Sequence, residues 1–443
     1  MPAFSLSLSS TRSKRMFRTR TSTVDRVVQA IRTLLQQQNS DGGIPAGNVG
    51  DESGPWTSSS TLRAAMSPLV LNQLDADRLN DLIEYLISSQ QLDGTEVSGG
   101  WPMVTGPVSA LATSDVLRGL SAAGGFYDRP DQDRAQLTAA IDASCAWLLA
   151  NQDPNFGYWT ANGPMGPHGG GSLFATASCI EALDLFGEKY SREVVRGAQF
   201  IKGLQHPESH GWGDPSTEIG ARISPSVSNT ARAIVALTNC RQATPSDDFI
   251  RAGLAYINRA PDTLRTEKVS LRYRNSPAEV VINNNTVCDV VVSLAVCDRR
   301  RSRRFAQSLI FLWNSFDHVQ GTWHLSDRAH TEFITTWPTA DWALAILAVA
   351  GSSEAKLYGS LTLARARLVA HRLRWVLILA AVLLIGILLR YPLFSLWTSI
   401  DATVRQFVLT GIVVTLVVGI LAAALWDGVK SVWRRNINDR KGK

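Results

Sequence analysis

The hydrophobic residues of the chain fall into two kinds of segment that alternate from residue 24 to residue 350. The first kind spaces apolar residues three and four positions apart, which is typical of an amphipathic helix. The second kind is apolar on nearly all sides and begins at Ser, Thr or Asn, which is typical of a capped and fully buried helix. The amphipathic helices are predicted at 24–37, 78–90, 138–151, 191–204, 248–258 and 303–315, and the apolar ones at 58–72, 109–123, 172–186, 227–239, 285–297 and 337–350.

A turn rich in Gly, Pro and Asp joins the two helices of each pair and recurs at a regular interval. Its glycines stand at 42, 100, 157, 211 and 321, which are 58, 57, 54 and 110 residues apart. The last gap equals two units of 55, so a sixth, degenerate unit is predicted near residue 265. Six pairs of an outer amphipathic and an inner apolar helix predict an all-α fold, a closed six-hairpin (α/α)6 toroid. An open solenoid of helical repeats is the alternative.

Two long apolar runs near the C-terminus predict a two-helix transmembrane hairpin. Residues 375–397 and 407–426 are each about one bilayer span long, and tryptophans lie at their ends. Basic residues flank the pair, whereas the connecting turn keeps only Arg390 and Arg405. By the positive-inside rule, the sequence predicts an integral protein of the inner or plasma membrane, with the toroid and both termini in the cytoplasm. A buried soluble hairpin is the alternative.

The net charge is +6, from 44 Lys and Arg against 38 Asp and Glu, and it is concentrated at the two ends of the chain. Residues 1–22 carry +5 and residues 356–443 carry +10, which leaves −9 for the rest and gives no sign of a nucleic-acid groove. The predicted parts are a disordered basic tail (1–22), the toroid (23–351), a basic juxtamembrane linker (352–374), the spans 375–397 and 407–426, and a basic cytoplasmic tail (427–443).

Each turn also carries a recurring combination of Gln, Gly and Trp. These residues resemble the Gln-x-x-x-Gly-x-Trp motif of squalene cyclases and related terpene cyclases, and the helix pairs are similar to those of protein prenyltransferase β-subunits. The resemblance covers about residues 24–351 and implies an α/α toroid in which Gln binds backbone groups, Gly allows the tight turn and Trp covers the joint. The motif residues are Gln91, Gly100, Trp101, Gln152, Gly157, Trp159, Gln205, Gly211, Trp212, Gln320, Gly321 and Trp323, with Ile44 in place of Trp in the first unit.

The resemblance implies chemistry in a central funnel, near the N-terminal ends of the inner helices. Terpene cyclases of class II carry Asp-x-Asp-Asp-Thr-Ala there, and the matching segment 226–231 keeps Thr230 and Ala231 but replaces all three acids. Ser228 stands in place of the acid, and a hydroxyl cannot protonate an alkene. Of the prenyltransferase zinc ligands only Cys288 survives, whereas catalytic zinc needs three protein ligands. The sequence therefore predicts no metal and no cofactor.

Two acids near the starts of inner helices, Asp115 and Asp341, are the candidate catalytic residues. The alternative is that they complement helix dipoles or accept hydrogen bonds from local backbone N–H groups. The candidates for lining a ligand cavity are Ser228, Asn229, Thr230, Thr286, Cys288, Trp337 and Trp342.

These observations favour a membrane-anchored toroid that binds an isoprenoid-like or lipid-like ligand, or a protein partner, and has lost the catalysis of its relatives. The alternative is a divergent class II terpene cyclase that uses a displaced acid. Carbohydrate chemistry is a third possibility, and it needs two carboxylates that face each other across a cleft. The predicted partners are the lipid bilayer, an isoprenoid or lipid, and a protein, but no nucleic acid. The stretch 265–274 is predicted to be a short strand pair or an extended lip for partner contact.

Overall fold

The computed structural model describes residues 23–47, 50–91, 99–126, 131–161, 171–214, 225–261, 264, 266–272, 279–323 and 336–399. Outer and inner helices alternate along the toroid, as the hydrophobic pattern predicts. The outer helices are α1 (Asp25–Gln36), α3 (Ala76–Ser88), α5 (Asp131–Ala150), α7 (Ser191–Gly203), α9 (Asp248–Arg259) and α11 (Arg303–Asn314), and the inner helices are α2 (Pro55–Ala65), α4 (Ala110–Ala123), α6 (Leu173–Leu183), α8 (Val227–Asn239), α10 (Thr286–Val296) and α12 (Thr336–Ala350).

The inner helices form a closed ring. Each packs on the next in chain order, from α2 through α4, α6, α8 and α10 to α12, and α12 returns to pack against α2. Closure distinguishes a toroid from an open solenoid, whose terminal repeats do not meet. The (α/α)6 toroid is therefore confirmed, and the ring has an axis towards which all six inner helices present one face.

Serine side chains fix the starts of three inner helices. The hydroxyls of Ser109, Ser172 and Ser226 accept hydrogen bonds from the backbone N–H three residues later. Such caps satisfy N–H groups that have no partner within the helix. They confirm the predicted starts of these helices. The caps thereby determine the residue at which each of these inner helices begins.

The Gln–Gly–Trp turns have the structural role that the sequence predicts. The Nε2 amide of Gln152 donates to the carbonyls of Gly157 and Glu193, each at 2.9 Å. The indole N–H of Trp159 donates to the carbonyl of Leu148 at 2.7 Å, and its backbone N–H donates to the hydroxyl of Thr176 at 3.1 Å. The turn thereby ties an outer helix, an inner helix and the next outer helix together.

Two positions in these turns differ from the prediction. In the second unit the donor is Gln90, not Gln91, because the Gln90 amide reaches the carbonyls of Gly99 and Ala140. In the fourth unit the residue with positive φ is His210, at 61°, where the third unit has Gly157 at 76°. A Cβ at Gly157 would lie 2.7 Å from Cβ of Arg196, so close approach as well as φ requires glycine there.

A β-hairpin replaces the Gly–Trp turn in the degenerate unit. Strands β1 (Glu267–Arg272) and β2 (Glu279–Asn284) pair antiparallel, with Glu267 opposite Asn284. The carboxylate of Glu267 accepts hydrogen bonds from the backbone N–H groups of Val227 and Ser228, at 3.0 and 2.6 Å. Only β1 lies within the stretch 265–274 where a strand pair is predicted, since its partner β2 follows that stretch, and the pair is fastened to the start of α8. A second small pair joins β3 (Phe316–Asp317) to β4 (Thr322–Trp323), so the fold is not purely helical.

The C-terminal prediction is not supported. Residues 352–374 and the first proposed span, 375–397, belong mostly to one helix, α13 (Glu354–Ser399). Among the described residues, no helix has both the length and the apolar character needed to cross a bilayer. The second proposed span, 407–426, and the two basic tails, 1–22 and 427–443, lie outside the described residues. By its internal contacts the chain divides into residues 1–368, which contain the toroid, and residues 369–443.

Candidate active site in the central funnel

Most of the inner helices are buried except for a narrow stripe that faces the axis of the ring, whereas every residue of α6 is buried. On α12 the partly exposed residues include Trp337, Asp341 and Leu344, and on α10 they are Asp289, Val292 and Val296. Spacings of three and four place such residues on one helix face. Because the other faces are covered by neighbouring helices, these stripes line the central funnel.

Asp341 lies close to the axis of the ring. Its carboxyl interacts electrostatically with Arg63 on α2 and with Arg232 on α8. Since α2 and α8 are on opposite sides of the six-helix ring, a side chain near both must point to its centre. The same interactions bring together carboxyl and guanidinium groups from all six inner helices, namely Asp115, Glu181, Asp289 and Asp341 with Arg63, Arg118 and Arg232.

Both carboxylate oxygens of Asp115 accept hydrogen bonds from neighbouring side chains. Its Oδ1 accepts from Nη1 of Arg63 at 3.0 Å and lies 3.8 Å from Nη1 of Arg118, and its Oδ2 accepts from the indole N–H of Trp56 at 2.9 Å. Burial, together with the charge of Arg118, lowers the pKa of Arg63 to about 10, which keeps the guanidinium charged at neutral pH. Asp115 therefore orients Trp56 and Arg63 through these hydrogen bonds.

Glu181 forms the second buried ion pair. Its carboxylate accepts from Nη1 of Arg118 at 3.1 Å and from the amide of Asn239 at 2.8 Å. Burial by itself raises the pKa of Glu181, but the charges of Arg118 and Arg232 lower it below the usual value. Burial likewise acts to lower the pKa of Arg232, and Glu181 and Asp115 outweigh that effect and raise it. Both groups are therefore ionised at neutral pH.

Among the described inner-helix residues, the carboxyl groups outnumber the guanidinium groups, four to three. Burial, and after it the charges of Asp289 and Asp115, raise the pKa of Asp341 to about 7 against the opposing charges of Arg232 and Arg63. In the part of the chain that the structure describes, no ion pair or hydrogen bond holds this carboxyl. Asp341 is thus an acid that carries its proton near neutral pH, the property that general acid catalysis requires.

Two tryptophans lie beside this acid. Trp337 precedes Asp341 by four residues, so the two side chains share one face of α12. The ring of Trp337 stacks on that of Trp56, with centroids 6.0 Å apart and planes 25° from parallel. Both rings are partly exposed, unlike the tryptophans of the turns. They give the funnel an apolar surface next to its acid.

The candidates at the starts of α8 and α10 form a buried polar cluster. The hydroxyls of Ser228 and Thr286 are 2.9 Å apart, and the amide of Asn229 donates to Asp214 at 3.2 Å. The hydroxyl of Thr230 accepts from the backbone N–H of Trp212 at 2.9 Å, as in the other turns. The structure therefore places Ser228 and Thr286 where α8 meets α10, Asn229 beside Asp214, and the hydroxyl of Thr230 against the turn that precedes α8.

Cys288 and Trp342 are placed in the core. Burial raises the pKa of the Cys288 thiol well above its usual value, which makes it a poor nucleophile or metal ligand. Trp342 has no exposed surface, stacks on Phe316 at 4.8 Å and donates to the carbonyl of Leu312 at 2.8 Å. Among the described residues, no group of three His, Cys, Asp or Glu side chains is arranged to hold a metal ion.

The sequence analysis did not select Asp289 or four further charged residues of the funnel. They share a sequence signal: each is a charge inside a helix that is apolar on nearly all sides. Because an unpaired charge in such a helix is costly, its presence predicts a partner on a neighbouring inner helix. The four residues are Arg63, Arg118, Glu181 and Arg232.

No family model matches the chain, and no curated protein matches it. Several solved structures do. A family 76 glycoside hydrolase from a bovine Bacteroides thetaiotaomicron strain has a TM-score of 0.54 at 11% identity, over 74% of this chain and 78% of the other. A D-mannose isomerase also gives 0.54, at 14% identity over 78% and 99%. An α-1,6-mannanase from Salegentibacter sp., inactivated at two consecutive aspartates and bound to α-1,6-mannotriose, gives 0.50 at 11% identity over 73% and 98%.

At these identities the comparisons show a shared fold alone. They nevertheless correct the resemblance drawn from the turns, because the toroids similar to this chain are glycoside hydrolases and a sugar isomerase, not squalene cyclases or prenyltransferases. The function drawn from that resemblance, a membrane-anchored isoprenoid-binding toroid or a divergent terpene cyclase, is therefore wrong. The cytoplasmic location at a membrane, and the bilayer, lipid and protein partners, stay predictions.

Proposed function

We propose that this chain is a glycan-active enzyme that cleaves a glycosidic bond in the central funnel, with Asp341 as the general acid. The observation that carries the proposal is the carboxyl of Asp341, which lies near the ring axis with its pKa raised to about 7. Cleavage of a glycosidic bond needs a protonated carboxyl beside the leaving oxygen and a second carboxylate nearby. The glycan-active neighbours that share the fold support this proposal by analogy.

In the proposed reaction, Asp341 donates its proton to the glycosidic oxygen as the bond from that oxygen to the anomeric carbon breaks. Asp289 is the second carboxylate, since its charge acts on Asp341 from the adjacent helix α10. It either attacks the anomeric carbon or removes a proton from the attacking water, and hydrolysis through either route consumes one water. Asp115 positions Trp56 and Arg63 and raises the proton affinity of Asp341.

The acid pair proposed here differs from that of the mannanase neighbour, in which two consecutive aspartates were changed to obtain an inactive variant. In this chain two consecutive aspartates occur only at Asp247 and Asp248, at the start of the outer helix α9. The proposal therefore relies on the side chains of this funnel. The glycosidic linkage that is cleaved is determined by testing trisaccharides of different linkages.

The proposal is tested by incubating the full-length protein with α-1,6-mannotriose, maltotriose, cellotriose and laminaritriose and following the anomeric protons by NMR. We expect new reducing-end signals from at least one trisaccharide, and the first anomer to appear distinguishes retention from inversion. Conversion of a sugar to its isomer without loss of a glycosidic bond would contradict the proposal. So would the absence of any product from trisaccharides and from the corresponding polysaccharides.

Changing Asp115 to Asn is expected to move the basic limb of the kcat/KM profile to lower pH. The negative charge of Asp115 raises the pKa of Asp341, and the change also leaves the opposing charge of Arg63 unmatched. Asp341 then loses its proton at a lower pH than in the wild type, whose basic limb is expected near pH 7. The control is Asp142→Asn, in an exposed pair with Lys189, which should leave the limb in place. If the basic limb of Asp115→Asn stays at the wild-type pH or moves to higher pH, the charges of Asp115 and Arg63 do not determine its position.

A further inference from the structure

We infer that Trp337 and Trp56 together form a sugar-stacking platform beside Asp341, and that its ligand is an uncharged pyranose ring. This inference rests on the proposed function, because it names the substrate class of the same funnel. The platform is defined as the exposed faces of these two indoles at the seam where α12 meets α2.

The position of the platform relative to the acid follows from helix geometry. Side chains four residues apart on one helix have Cβ atoms about 5–6 Å apart. A pyranose ring is of similar breadth, so a ring lying on Trp337 would bring one of its glycosidic oxygens next to the carboxyl of Asp341. The same arrangement places the ring on the wall of the funnel and not at its outer surface.

The platform is held rigidly on both sides. The indole N–H of Trp56 donates to Asp115 at 2.9 Å, and Asp115 is fixed by Arg63 at 3.0 Å. On the α12 side, the hydroxyl of Thr336 donates to the carbonyl of Pro45 at 2.6 Å, and its backbone N–H donates to the carbonyl of Gly47 at 3.0 Å. A surface fixed before the ligand arrives loses little conformational entropy on binding.

These indoles differ from the tryptophans that stabilise the fold. Trp101, Trp159 and Trp212 have no exposed surface, and each indole N–H donates to a helix carbonyl. The side chains of Trp56 and Trp337 are partly exposed, and the indole N–H of Trp56 donates to Asp115 of the acid cluster. Large, rigid aromatic faces next to convergent polar groups are typical of a ligand site.

The charge balance of the funnel favours an uncharged ligand. Among the described inner-helix residues, four carboxyl groups outnumber three guanidinium groups, so the funnel offers an acidic sugar no excess of positive charge. The C–H groups on one face of a pyranose can pack against an indole, while its hydroxyls reach the polar groups around it. These features of the funnel therefore favour a neutral pyranose.

The test measures binding without turnover, in an Asp341→Asn background, by calorimetry and by tryptophan fluorescence. The probes are the four neutral trisaccharides named above and a trimer of galacturonic acid. We expect a neutral probe to bind, Trp337→Ala to weaken it about tenfold or more, and Trp337→Phe, which keeps an aromatic face, to weaken it about threefold. The matched control is Phe156→Ala, an aromatic side chain that is 68% exposed in an outer turn and should not change binding.

Neutral binding that is unchanged by Trp337→Ala would overturn the platform and leave the proposed function standing. Tighter binding of the galacturonic acid trimer than of every neutral probe would overturn the ligand class. Trp337→Phe retains bulk and fold, so a loss seen in it as well as in Trp337→Ala cannot be assigned to misfolding. If the wild type cleaves none of the neutral sugars and the Asp341→Asn protein binds none, the proposed function fails and the platform with it.

Discussion

Replacing Asp341 with Asn is expected to lower kcat/KM for the cleaved glycan by about 10² to 10⁴, the usual contribution of a general acid. Asn has nearly the same shape but no dissociable proton, so the leaving oxygen departs unprotonated. The Asp142→Asn control removes an exposed carboxylate and should retain full activity. Initial rates by NMR on one trisaccharide are sufficient for the comparison, and an Asp341→Asn protein with wild-type rates would exclude Asp341 as the acid.

The same substitution is expected to stabilise the folded protein at alkaline pH. The pKa of Asp341 is raised from 3.8 to about 7 on folding, so its contribution to stability is complete below pH 3.8 and is lost as pH rises through 7. The shift corresponds to at most about 4 kcal/mol. In urea unfolding at pH 8 the Asn variant should therefore be more stable than the wild type, with the advantage gone at pH 4. Loss of activity joined to a gain in stability is typical of a residue retained for catalysis.

Replacing Arg118 with Met is expected to destabilise the toroid by about 3–5 kcal/mol, because it leaves part of a buried charge network without its partner. Arg118 is the guanidinium that joins Glu181, at 3.1 Å, to Asp115, at 3.8 Å. Its charge contributes to the lowered pKa of Glu181, so the stability it supplies is present at neutral pH and is lost as pH falls and Glu181 becomes protonated. The loss in the variant, measured by urea unfolding, should therefore shrink on acidification.

Two further variants make the Arg118 result specific. Changing Glu181 to Met in the Arg118→Met background removes the orphaned carboxylate and should recover much of the lost stability. Lys189→Ala removes an exposed ion pair, with Lys189 and Asp142 3.8 Å apart, and should have no measurable effect. If the double variant is less stable than Arg118→Met alone, then lost packing, and not lost charge pairing, accounts for the destabilisation caused by Arg118→Met.

The helical repeat was accessible from the sequence because a local rule produces it. Amphipathic and fully apolar segments alternate, and the turns repeat Gln, Gly and Trp, so helix order follows from short-range patterns. Closure of the ring does not follow from them, because an open solenoid of helical repeats has the same alternation. The one degenerate unit, with the β1–β2 hairpin, was found from spacing alone. The family assigned from the turns was wrong for a related reason. A Gln that donates to two carbonyls, as Gln152 does, stabilises a turn between packed helices. This structural role carries no information about the reaction that the protein catalyses.

The functional site could be predicted only in part from the sequence. Asp115 and Asp341 both stood out as acids early in apolar helices, but the sequence does not tell which is paired. The structure separates them: Asp115 accepts from Arg63 and Trp56, whereas Asp341 keeps a raised pKa. That difference depends on which inner helices are opposite each other in the ring, and such long-range geometry is absent from local patterns. The apolar run at 375–397, with its terminal tryptophans and basic flanks, predicts a membrane span, but among the described residues no helix has the length and apolar character of one.

The most direct test of Asp341 as the proposed acid is to observe the proton on its carboxyl group. Infrared difference spectra of protein labelled with ¹³C at aspartate carboxyls, wild type minus Asp341→Asn, isolate the C=O stretch of one protonated carboxyl as pH is varied. That band is expected to persist at pH 6 and to disappear with a midpoint near pH 7. A midpoint near 4, the value of an ordinary aspartate, would contradict the account, because Asp341 would then hold no proton to donate at neutral pH.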